Sequence, residues 1–168
     1  MNCEKYCEAG TLVFISILIL CGLSLHSVDA HATEAEIRKT ITEINTLLKK
    51  YGPSELGSDL SAVYKCSVAM GQGSGILTIT AVPIANGQSR MISKANIEDL
   101  ERVGQMLFDK NISVLMLCKG GKRCVKVVSE DGKEEEEIGF GVTISRNDSV
   151  ADRLANEFRK LIGLPLVK

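Results

Sequence analysis

The feature that most constrains this chain is the stretch from Thr11 to Leu25, TLVFISILILCGLSL, which contains neither a charge nor a proline. A run of that length and character matches the apolar core of a secretory leader. It falls short of the roughly 20 apolar residues that a bilayer span requires. Small residues follow at Val28, Ala30 and Ala32, so cleavage after Ala30 or Ala32 satisfies the rule for small side chains at such sites. The flanking residues before the run are atypical, since Glu4 and Glu8 outweigh Lys5. Cys21 is preceded by Leu18-Ile19-Leu20, without the small residue expected before a lipidated cysteine. The expectation is therefore a signal peptide, or an N-terminal anchor, over residues 1–32, and an exported domain, extracellular or periplasmic, over 33–168. Membrane contact is expected only where the N-terminal segment is retained.

Export changes what the remaining residues can do. Taking away residues 1–32 leaves 136 residues, the usual size of one domain and enough to bury a sizeable core. It removes one lysine and three acids, so 20 basic and 21 acidic residues become 19 and 18. That near-neutral balance gives no electrostatic reason to bind nucleic acid. Both histidines, His26 and His31, lie in the leader, so the rest of the chain has none. Nucleophilic serine and cysteine sites usually rely on a neighbouring histidine, and zinc sites draw largely on His and Cys. The expectation is no metal and no cofactor, with carboxylate pairs and lysine-activated groups left as the remaining chemistries.

The folded part opens on a marked helix. Thr33 and Glu36 have capping-box spacing, and Ile37, Ile41, Ile44, Leu47 and Leu48 recur on one face. Lys49 and Lys50 suit the negative end of the helix dipole, and Gly52 and Pro53 end it. Period-two alternation then predicts strands over 60–70 and through GILTITAV, joined by the flexible connection GQGSG. A tight turn is expected at Asn86-Gly87, followed by a short strand. Ile97, Leu100, Val103, Met106 and Leu107 have helical spacing, which predicts a short helix within Ser93–Phe108. Strands are expected at Ile112–Cys118, Cys124–Ser129 and Ile138–Ile144. A terminal helix is expected to be capped by Ser149 with Asp152 and to bury Val150, Leu154, Phe158, Leu161 and Ile162. The order implies an α+β domain: a curved antiparallel sheet or small roll packed against N- and C-terminal helices.

Cys118 and Cys124 flank the cationic segment KGGKR. Five intervening residues suit neither a zinc ligand pair nor a redox dithiol. In an exported chain the expectation is a Cys118–Cys124 disulfide across a Gly-Gly hairpin, with Cys66 left as a buried, unreactive thiol. Lys119, Lys122 and Arg123 at its tip are candidate anion-binding residues. SEDGKEEEEIG, residues 129–139, reads as a solvated hairpin tip, without the spacing of a calcium loop. Asn111-Ile-Ser113 and Asn147-Asp-Ser149 match the glycosylation acceptor pattern, which matters only in a eukaryotic secretory route. The functional expectation is a noncatalytic binding or accessory domain whose partner is a protein or small ligand. The alternatives are a secreted hydrolase-like enzyme using carboxylate or lysine-activated chemistry, and a membrane-anchored structural protein of the envelope.

Overall fold

The structure is a computed structural model, and it describes residues 33–53, 64–84 and 89–166. The leader, the start of the first expected strand and the Asn86-Gly87 turn lie outside these residues.

Helix α1, Glu34–Tyr51, begins at the capping box expected from sequence. The Thr33 hydroxyl accepts from the Glu36 N–H, and the Glu36 carboxylate accepts from the Thr33 N–H at 2.7 Å. Ile44, Leu47 and Leu48 are buried, and the Gly52 N–H closes the last turn on the Leu48 carbonyl. Strands β1, Tyr64–Met70, and β2, Ile76–Pro83, form the expected antiparallel pair around GQGSG. Strand β3, Met91–Asn96, pairs with β2.

The next segment corrects the sequence reading. After a short 3-10 turn at Ile97–Asp99, residues Leu100–Leu107 form a strand, β4, and no α-helix forms within Ser93–Phe108. Its pairing with β5, Asn111–Cys118, shifts register between Leu100 and Arg102, which marks a bulge at Glu101. A bulge inserts one residue and converts the two-residue spacing of one face locally to three. Leu100 and Val103 thereby share the buried face, which imitates a helical pattern, whereas Met106 is 48% exposed and Leu107 is 61% exposed.

Strands β6, Val125–Ser129, β7, Glu134–Glu137, and β8, Gly139–Ser145, complete two antiparallel sheets. Their orders are β1-β2-β3-β6-β7 and β4-β5-β8. These orders describe one meander bent at a corner: β3 continues into β4, β5 into β6 and β7 into β8, and each crossing passes from one sheet to the other. The expected α+β class with terminal helices therefore holds, with the curved sheet divided in two at this corner. The acidic segment is also reassigned in part, because Glu134–Glu137 form an exposed edge strand and the tip is confined to Glu130–Lys133.

Helix α2, Asp148–Leu161, closes the chain. Its cap is Asn147 and not Ser149: the Asn147 side chain accepts from the Val150 N–H. Val150, Ala151, Leu154, Ala155, Phe158 and Leu161 are buried against β4, β5 and α1. They meet Ile112, Val114 and Met116 of β5 and Val142 and Ile144 of β8, all within the same apolar core. Two side chains tie the helices to strand edges. Asn45 of α1 donates to the Val68 carbonyl at 2.8 Å and accepts from the Val68 N–H at 2.9 Å, standing in for a neighbouring strand. Arg159 of α2 donates to the Val103 carbonyl at 2.9 Å.

Candidate functional site

The cationic segment sits at the corner. The N–H groups of Cys118 and Cys124 donate to two adjacent carbonyls of the opposite strand, those of Ile138 at 2.8 Å and Glu137 at 3.1 Å. Residues that are neighbours in the ladder are thus six apart in sequence, and the intervening five are extruded as a small loop. The disulfide between Cys118 and Cys124, with Cα atoms 5.8 Å apart, closes the neck of that loop. Gly120 and Gly121 turn it with φ of +60° and +67°, a region that side-chain-bearing residues rarely enter.

The bond is the one expected, but its setting is different. Cys118 ends β5 in the three-stranded sheet and Cys124 immediately precedes β6 in the five-stranded sheet, so the two strands do not form a hairpin with each other. The bridge fixes a change of sheet. A Gly-Gly turn suggests a hairpin wherever strands flank it, and only the long-range pairing with β7 and β8 distinguishes the two arrangements.

Lys119, Lys122 and Arg123 are all exposed on this loop. Arg123 is partly committed, donating to the Glu136 carbonyl at 3.1 Å and so leaning towards β7. Lys126 pairs with Glu134 at 2.6 Å on the same ribbon. Among the described residues, neither Lys119 nor Lys122 has an ion-pair partner. The three cations are held together covalently, but the neighbouring glutamates of β7 offset part of their field.

A second place, which sequence reasoning did not find, is an open cleft of about 630 Å³ where the C-terminal turn of α1 passes the start of β1. Its lining includes Leu48 and Pro53 on the apolar side and Lys49, Lys50 and Lys65 as cations, with Asn45, Cys66 and Ser67 at the strand edge. In the helix, Lys49 and Lys50 read as dipole partners. In space they also line the same cleft as Lys65, which is far along the chain and has no motif linking it to them. Among the described lining residues there is no carboxylate.

Cys66, on β1, is half-buried, with Thr143 of β8 beside its thiol. Burial pushes its thiol up from the ordinary 9.0, and a weaker backbone hydrogen bond with Thr143 acts in the opposite direction. Such a group is a protonated, poorly nucleophilic thiol at neutral pH. Among the described residues, no three His, Cys, Asp or Glu side chains form a group able to hold a metal ion. No described helix is long and apolar enough to cross a membrane. No family model, no curated protein and no solved structure matches this chain.

Proposed function

We propose that the protein is a small exported, noncatalytic binding domain that holds an anionic ligand with an apolar portion, such as an amphipathic carboxylate, between α1 and β1. The observation that carries this reading is that Lys49, Lys50 and Lys65 line one cleft with Leu48 and Pro53, with no acid among the described lining residues. Binding sites combine apolar lining with a few polar groups that orient the ligand, and a carboxylate is the natural partner of clustered ammonium groups. Export is supported by the uncharged leader-like run and by the disulfide, a bond that persists in oxidising compartments. The loop bearing Lys119, Lys122 and Arg123 would serve as a separate contact for an acidic partner.

An enzyme needs two groups that converge on a reacting atom. Cys66 and Ser67 are the thiol- and hydroxyl-bearing residues of the described lining, and burial works against the Cys66 thiolate.

Calorimetric titration of the full chain with a medium-chain fatty acid, a matched alcohol and an acidic peptide tests the proposal. The fatty acid is expected to bind more tightly than its alcohol, and Lys49→Glu with Lys65→Glu to weaken it by about tenfold or more, since reversing charges near a carboxylate costs on the order of 1 kcal/mol each at a solvated site. Equal binding of acid and alcohol, or no effect of the two reversals, overturns it.

A further inference from the structure

The two glycosylation acceptor patterns look equivalent in sequence and occupy opposite environments. Asn111 begins β5 and is 2% exposed, and its amide nitrogen is buried without a hydrogen-bond partner. The Asn111 backbone carbonyl accepts from the Phe108 N–H, and the adjoining Lys110 backbone carbonyl accepts from the Arg146 N–H, so the turn around it is tied down on both sides. A glycan on that nitrogen would have to leave through packed protein, so glycosylation at Asn111 and this fold exclude each other.

Asn147 is exposed, as are Arg146, Asp148 and Ser149 around it. Its side chain is already oriented. The amide oxygen accepts from the Ser149 hydroxyl at 3.0 Å and from the Val150 N–H at 3.2 Å. Both contacts use the oxygen and leave the amide nitrogen, the atom to be glycosylated, free of any bond among the described residues. The third residue of the pattern therefore touches the acceptor amide itself, at the capped start of α2.

We infer that Asn147 is an N-glycosylation site of this protein and that Asn111 is not. The inference rests on the exported reading and adds a secretory route that carries the modification. In the transfer, the bond from the first sugar carbon to the pyrophosphate oxygen of a lipid-linked oligosaccharide breaks. A bond from that carbon to the Asn147 amide nitrogen forms, the nitrogen's one displaced proton passes to a base of the transferase and then to solvent, and the lipid pyrophosphate leaves as the anion. The oxygen-side cap of α2 is unaffected, because the nitrogen takes no part in it.

The experiment is expression of the full chain in a eukaryotic secretory cell line, once with its own N-terminus and once behind an unrelated cleavable leader that forces entry. Intact mass is read before and after treatment with an amidase that removes N-glycans. The forced-entry protein is expected to carry one glycan, mapped to Asn147, and Asn147→Asp, which retains a capping oxygen, is expected to carry none while remaining folded. A Ser113→Ala variant is expected to keep the glycan. Absence of a glycan at Asn147 in secreted, forced-entry protein, or a glycan on Asn111 in folded protein, overturns the inference. A glycan that appears only with the added leader leaves the site assignment standing and removes the export reading instead.

Discussion

Cys66 shows how one residue in the cleft limits the chemistry available there. The thiolate is the form that reacts, and burial disfavours it. The pH dependence follows from the same displacement. The folded thiol titrates above the ordinary 9.0, so the stability it contributes is fully present below that value and is lost as pH rises past it, through the folded value. Urea unfolding of the parent chain and of Cys66→Ala, measured at neutral pH and at several values above 9.0, should therefore diverge with pH, with the parent falling more steeply. A thiol reagent at neutral pH should label Cys66 much more slowly in the folded than in the unfolded chain. Parallel pH curves, or equal labelling rates, would mean that the thiol is solvent-exposed. The sequence reading placed Cys66 at an inward position of an alternating strand, and there it is half-buried, packed against the edge of the core. Its neighbours from α1 and β8 come from distant parts of the chain, and no local pattern announces them.

At the scale of elements, legibility depended on whether the determining contacts were local. Helix α1 was readable because its cap, its apolar stripe and its terminating residues all lie within one stretch from Thr33 to Pro53. The strands around GQGSG were readable from alternation for the same reason. Strand β4 was not, since the bulge at Glu101 spaces Leu100 and Val103 like helix neighbours and only pairing with β5 resolves the ambiguity. The cap of α2 was displaced by two residues because Asn147 and Ser149 are both competent capping residues, and the Asn147 side chain takes the Val150 N–H. The corner disulfide was half legible: the pairing follows from composition and spacing, the change of sheet from contacts with Glu137 and Ile138. Its consequence is measurable. Closing so short a loop stabilises the chain by about 2 kcal/mol on the loop-entropy relation. Replacing both Cys118 and Cys124 by Ala should cost about that much, together with a smaller packing loss at the buried Cys118. Amide exchange should accelerate first at residues 118 and 124, whose N–H groups hold the corner. Uniform acceleration across both sheets would instead show that the bridge only shifts global stability.

The molecule as a whole has to manage the open edges of two sheets. An unpaired strand edge is a template for another chain unless it is covered or charged. Asn45 satisfies both backbone groups of Val68 on β1, and Arg159 takes the Val103 carbonyl on β4. Strand β7 has a different protection. All four of its residues are exposed glutamates, and it is the outermost strand of the five-stranded sheet. Two such edges brought together would set like charges opposite one another, which is destabilising in a strand pair. Replacing Glu134, Glu135, Glu136 and Glu137 together by threonine would remove that repulsion and raise β propensity. The two ion pairs lost, Lys126 with Glu134 and Lys133 with Glu135, are exposed on both sides, where such pairs contribute little, so the fold should persist. Light scattering at neutral pH and matched concentration should then show a larger mean mass for the threonine variant than for the parent, with an unchanged far-ultraviolet dichroism spectrum. Acidifying the parent until its carboxylates are protonated should move it in the same direction at high salt, where the remaining positive charge is screened. Equal masses under both conditions would assign the protection of this edge to its short length, since four residues offer few hydrogen bonds to an incoming strand.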